Sequence, residues 1–241
     1  MKSSILVFLL LYIGLSAQGQ SSLSKFKPGA KIGFNASYFT RDVDVFDEPD
    51  ENFSSFKNSV RLSFMGGVTL DMEMTNKFTF GMELLYNSRG MGYSQKNNKV
   101  VIETTAGQTK DAYNNFEYQL DYLELPLTIN YNFQPETSSK IVTGYLGFAP
   151  SLSIRKKSKL SYPKSDPDND NQKTDLADVN SFMKSFLAGA KLGESYGDNE
   201  LYMDLRAAYS PSKVFNRPIN DFGKNLETHM FTFTLALGFK F

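Results

Sequence analysis

The chain has no cysteine among its 241 residues. That absence excludes disulfide staples, thiolate metal sites and a lipid anchor attached at a cleavage-site cysteine. It carries a single histidine, His229. It has no G-x-S-x-G or H-E-x-x-H stretch and no phosphate-cradling glycine loop, so those routes to nucleophilic, zinc or nucleotide chemistry are closed. Charge of one sign is lacking too: 26 basic residues balance 26 acidic ones, unlike the basic stripe of a nucleic-acid binder. Beyond residue 19 no apolar run approaches the roughly 20 residues that a membrane helix needs. A mature chain embedded in a membrane would have to cross it as a closed barrel, because only helices and closed barrels satisfy their own backbone polar groups in hydrocarbon.

What is present at the start is a short apolar run. Lys2 precedes it, residues 5–15 form it, and Ala17-Gln18-Gly19 follows as a small-x-small site. Its length suits the core of a secretory signal rather than a spanning helix, with a retained N-terminal anchor as the alternative. The expected division is a signal peptide over 1–19 and one domain over 20–241.

From residue 30 onward the dominant period is two. In the last segment Phe231, Phe233, Leu235, Leu237, Phe239 and Phe241 share one face, with Thr232, Thr234, Ala236, Gly238 and Lys240 on the other. At 41% hydrophobic composition, six such residues at fixed parity arise by chance roughly once in two hundred starts. Comparable alternation over 30–39, 60–74, 77–93, 116–133, 141–154, 181–193 and 200–209 brings the strand count to eight. Within 116–133 the apolar positions change phase, from Phe116, Tyr118, Leu120 and Tyr122 to Leu123, Leu125, Leu127 and Ile129, which predicts a bulge near Tyr122.

Connections at 40–59, 94–115, 156–180 and 210–228 are long and polar, whereas those at 75–76, 134–140 and 194–199 are short and carry turn residues. Long loops at one end and tight turns at the other are the pattern of outer-membrane barrels, with the short turns periplasmic. Aromatic residues near strand ends (Tyr38, Phe39, Phe78, Tyr93, Tyr118, Phe133, Tyr209, Phe241) suit interfacial girdles. The predicted fold is all-β: an eight-stranded antiparallel up-and-down transmembrane β-barrel. A soluble sandwich or lipocalin, which would bury the same apolar face, is the competing architecture.

Eight strands enclose an interior that side chains can fill. The polar parity then points Arg61, Asp71, Glu73, Glu83, Arg89, Glu124, Lys191, Asp204 and Arg206 into the lumen. Mixed charges there would pair into a plug of salt bridges, since unpaired charges in a narrow interior are costly. A gated ion path is the sharper alternative, and nothing in the residues favours it.

Residues 122–133 read Y-L-E-L-P-L-T-I-N-Y-N-F, and 144–151 read G-Y-L-G-F-A-P-S. These two segments resemble the PorT-like outer-membrane β-barrel family of Bacteroidota, in which a Y-L-E-[IL]-P-L stretch is followed by a glycine-rich strand. The resemblance implies an eight-stranded barrel, an outer-membrane address and, through the founding member, a link to type IX secretion and gliding machinery. It carries over no functional residues. Tyr122, Leu123, Glu124 and Pro126 are expected to be a structural motif, with Glu124 and Pro126 facing inward and Pro126 fitting a bent strand.

Catalysis would have to rest on rim His229 with Asp221 or Glu227, and a non-enzymatic chain is the expectation. Asp166-x-Asp168-x-Asp170 begins like a calcium loop. The sixth position is Asn171 and the twelfth Ala177, so it reads, like the acidic tract 42–51, as a solvated surface loop. No cofactor and no metal are expected. Expected partners are outer-membrane lipid, the barrel-assembly machinery acting on the strand that ends at Phe241, and an envelope protein complex; nucleic acid is not among them.

Overall fold

The computed structural model describes residues 26–43, 53–103, 109–135, 138–163, 171–219 and 225–241. The expected signal peptide, most of the acidic tracts at 42–51 and 166–170, and Asp221 lie outside the described residues. Eleven strands follow in order: β1 (Phe26–Phe39), β2 (Phe53–Ser59), β3 (Arg61–Glu73), β4 (Phe78–Glu103), β5 (Thr109–Glu124), β6 (Leu127–Asn132), β7 (Lys140–Ser161), β8 (Gln172–Asp175), β9 (Phe182–Tyr196), β10 (Asn199–Ser210) and β11 (Met230–Lys240).

Antiparallel ladders run from β1 to β3, β3 to β4, β4 to β5 and β6, these to β7, and on through β9 and β10 to β11, which pairs back with β1. β5 and β6 lie end to end against the same two neighbours, so the circuit has eight members and its body has no free edge. β2 borders the far end of β4, and β8 borders the far end of β7.

Period two decides which side chains go where. On β11 the even positions from Met230 to Lys240 are buried, while Phe233, Leu235, Leu237 and Phe239 point out. The same holds around the ring, where Phe34 is 73% exposed and Leu62 78%. Charged residues meanwhile are buried inside, with Asp204 and Glu124 at 0% and Lys31 at 3% exposure. A soluble β-barrel has the reverse arrangement. An apolar belt around the whole ring far exceeds the few hundred Å2 that soluble monomers expose, so this face is suited to lipid and the sandwich alternative falls.

Three expectations are corrected. First, β5 does not change phase. Tyr118, Leu120, Tyr122 and Glu124 are all buried at even parity, and Leu123 is exposed. The bulge belongs to the partner strand: Asp121 pairs with Arg155 and Tyr122 with Ser153, which leaves Ile154 of β7 without an opposite residue. The apparent slip arose because the first four apolar residues face a packed interior instead of lipid. β5 stops at Glu124 because Pro126 has no N–H to give. The ladder is bridged there by Leu125 N–H to the Pro150 carbonyl (3.0 Å) and Glu83 N–H to the Pro126 carbonyl (2.9 Å).

Second, much of the expected loop length is strand. The ladder between β4 and β5 continues through Ser94–Asn115 and Gln95–Asn114, and β2 lies inside the 40–59 connection. Two-sided polar strands give no hydrophobic period, so pattern reading is silent on them. The turn at 194–199 is also tighter than expected: Tyr196 pairs with Asn199, and Gly197 adopts φ +64°, which a glycine takes without steric cost.

Third, not every strand-end aromatic is interfacial. Tyr38 stacks on Phe231 (5.6 Å) and Phe78 meets Tyr131 edge-on (5.2 Å). Phe39, Tyr93 and Tyr118 are instead buried inside the barrel mouth.

Candidate functional site

The lumen is stratified, and β1 meets every stratum at four-residue steps: Lys27, Lys31, Asn35 and Phe39. This follows from local geometry, since alternate residues of a strand share a face. At the turn end, Lys27 donates to Glu200 (2.8 Å) and lies 3.3 Å from Glu73. Lys240 contacts Glu200 and Asp71, each at 2.7 Å, while Lys191 reaches Asp71 only at 3.5 Å. A cavity of about 580 Å3 opens beside these groups, bordered by the turns near Thr75 and Pro135.

The next stratum is buried and its charges are paired. Lys31 donates to Glu83 (2.6 Å) and Asp204 (2.5 Å). Arg206 contacts both oxygens of Glu83 at 2.9 and 2.8 Å. The Tyr145 hydroxyl donates to Asp204 (2.6 Å) and accepts from Arg206 Nε (2.9 Å). Above it, Arg89 pairs with Glu124, which also accepts from Ser151 (3.0 Å). Asn35 and Thr234 join the same level at 2.7 Å. Buried charges that are paired and hydrogen-bonded in this way avoid most of the cost of desolvation.

The outermost stratum is apolar. Phe39, Met91, Tyr93, Tyr118, Leu120, Tyr122 and Met183 point inward from the strands, and Val179, Val214, Phe215 and Leu226 close over them from the connections. The connections are held by backbone bonds, as from Asn180 N–H to the Val214 carbonyl (2.8 Å) and from Val214 N–H to the Thr228 carbonyl (2.9 Å). On the outer surface Lys213 lies 2.8 Å from Glu227, and its hydrogen bond holds that carboxyl below the usual range.

Of the residues expected to face the lumen, Asp71, Glu83, Arg89, Glu124, Lys191, Asp204 and Arg206 are buried within it. Glu73 is half-exposed at the turn end. Arg61 stands apart near the mouth, donating to Ser88 Oγ (3.1 Å) and the Arg89 carbonyl (3.0 Å) with no ion pair among the described residues. There β4 pinches inward: Gly90 has φ +151°, and its N–H and carbonyl bond the Ser37 hydroxyl of β1 at 2.9 and 3.0 Å. Lys27, Lys31, Glu200 and Lys240 belong to the network but were not among the expected set. Parity could have found Lys31 beside outward Ile32 and Lys240 between Phe239 and Phe241.

Tyr122 of the motif is buried with its hydroxyl unbonded, Leu123 faces out, and Glu124 and Pro126 face in. His229 sits outside the mouth, its ring 6.3 Å from that of Tyr209 and its Nδ1 without a hydrogen-bond partner. No carboxylate of the described residues hydrogen-bonds it, and no cluster of three metal-ligating side chains occurs among them.

A family model described as outer membrane protein beta-barrel domain matches residues 16–216. Among curated proteins no match is found. Solved structures similar to the chain include Neisserial surface protein A (11% identity, TM-score 0.42, 90% of this chain and 96% of that one). Two others are Ail of Yersinia pestis (15%, 0.38, 90% and 99%) and OprG of Pseudomonas aeruginosa (11%, 0.43, 89% and 95%). Likenesses of this size carry no functional information.

Proposed function

This chain belongs to the family of outer membrane protein beta-barrel domains, and on that footing we propose that it is a PorT-like accessory protein of secretion or envelope machinery. It acts as a non-enzymatic scaffold, through the strands and connections that rise beyond the apolar belt. The observation that carries this is the filled lumen: two fully paired ionic strata lie beneath an apolar cap. With transport through the barrel blocked, the surfaces left for work are its two rims. The larger is the extension of β4 and β5 past Tyr93 and Phe116, with β2 paired along β4 and β8 bordering β7, the neighbour of β5. The Y-L-E-L-P-L stretch over 122–127 supports the PorT-like assignment, and a type IX role follows from that likeness alone. The strand ending at Phe241 is the part the barrel-assembly machinery would engage.

The test is a pull-down from native outer membrane, comparing the full chain with one whose β4–β5 extension is trimmed to a short turn. Envelope or type IX components should co-purify with the full chain and be lost on trimming, while both proteins stay in the outer-membrane fraction and migrate heat-modifiably on gels. Identical partners for both would overturn the role of the extension. Solute conductance in planar bilayers would overturn the sealed lumen.

A further inference from the structure

We propose that the cavity at the turn end of the lumen binds a carboxylate group, with Lys191 as its anchor. The cavity, about 580 Å3, is bordered by four lysines (Lys27, Lys140, Lys191 and Lys240) against three carboxylates (Asp71, Glu73 and Glu200). The lysines are not equally served. Lys27 and Lys240 each have a carboxylate oxygen at 2.7–2.8 Å. Lys191 has Asp71 Oδ2 at 3.5 Å, and that oxygen is already held by Lys240 at 2.7 Å.

The Lys191 side chain is only 3% exposed. Its Nζ stands 5.6 Å from the Tyr145 ring and 5.6 Å from the Tyr202 ring. An ammonium has three donors, and a buried one that lacks good acceptors is expensive. Behind the cavity wall, Thr69 Oγ1 and the Tyr202 hydroxyl are also buried without hydrogen-bond partners. A buried ammonium with one long ion pair thus faces an open polar cavity whose charged lining, with rim Lys140 included, carries one surplus positive charge.

Those features select the ligand. A single surplus charge beside three resident carboxylates suits a monoanion and disfavours a phosphate dianion. The amides and hydroxyls of Asn130, Asn132, Thr143 and Ser195 on the wall can bond whatever neutral polar group adjoins the carboxylate. Such a group could come from a small free acid or from the C-terminus of a peptide entering from the periplasm. The site is independent of the scaffold role above, and its loss would leave that role standing.

The experiment follows backbone amide shifts of the full mature chain in micelles during titration with acetate, a short peptide with a free C-terminus, the same peptide amidated, and inorganic phosphate. Saturable shifts around Asp71, Lys191 and Tyr202 are expected with acetate or the free-acid peptide, and none with the amidated peptide. Acetate binding as tightly as the peptide points to a free acid, and a tighter peptide points to a chain terminus. Lys191→Met should weaken binding by about tenfold or more, the effect of removing one charge-assisted hydrogen bond. Asp71→Asn, which removes the competing negative charge, should tighten it, and this arm decides the matter should the Met variant fail to fold. Absence of saturable shifts with any carboxylate, equal binding of the amidated peptide, preferred binding of phosphate, or unchanged affinity in the variants would overturn the proposal.

Discussion

The ring of Tyr145 lies across Gly189 of the neighbouring strand, with which it pairs: a Cβ at Gly189 would collide with both Cζ and the hydroxyl of Tyr145. Tyr202 uses Gly238 in the same way, its Cζ standing where a Cβ of residue 238 would lie. The missing side chains let both rings lie flat along the wall, and in the case of Tyr145 this brings the phenol between Asp204 and Arg206.

Gly189→Ala should therefore destabilise the barrel. Restricting the unfolded chain is worth about 0.4–1 kcal/mol in favour of alanine, but overpacking costs about 1–3 kcal/mol, and the second effect wins. Urea unfolding in micelles should show a lower midpoint for the variant.

Glu83→Gln should cost about 3–5 kcal/mol, because it leaves both Lys31 and Arg206 with a buried charge short of its partner. Adding Arg206→Met should recover part of that loss, since the Lys31–Asp204 pair then remains balanced. A double-mutant cycle measured by denaturant unfolding checks this; strict additivity would mean that Arg206 and Glu83 do not act as a pair.

Planar bilayers containing the protein should be silent. Opening the apolar cap with Leu120→Ala and Tyr122→Ala should leave them silent, because the Arg89–Glu124 and Lys31–Glu83–Asp204–Arg206 strata persist beneath. Current through the cap variant would show that the ionic strata alone do not seal the lumen.

Leu235→Arg, on the outward face of β11, should cost about 2–4 kcal/mol when unfolding is measured from lipid vesicles, whereas Phe231→Arg near the strand end should cost about 0–1 kcal/mol. A flat profile along β11 would be inconsistent with lipid contact.

His229→Ala should change stability by no more than about 1 kcal/mol, because the partly buried ring loses its contact with Tyr209 but Nδ1 has no hydrogen bond to lose. Hydrolytic activity that is present in the parent chain and absent from this variant would restore the enzyme alternative.

How much was legible beforehand can be judged from particular residues. The inward positions of Asp204 and Arg206 are legible because these residues alternate with Leu205 and Ala207, and a strand's faces follow from the covalent chain itself. Tyr118, Leu120 and Tyr122 mimic a change of phase in the sequence, because apolar side chains at the barrel mouth obey the same period as those in lipid. The strands beyond Tyr93 were read as loop because Gln95, Asn97 and Asn114 are polar yet buried, and Asn97 bonds Asn114 across the ladder at 3.2 Å.

The sequence by itself determined the alternation, and with it a wall of apolar residues backed by charged ones, because period two needs nothing beyond the geometry of one strand. Only the tertiary structure decided which charges meet. Lys31 and Asp204 are 173 positions apart, as are Lys27 and Glu200. What brings each pair together is the register of β1 on β11 and of β11 on β10, a property of the closed ring that no single strand contains.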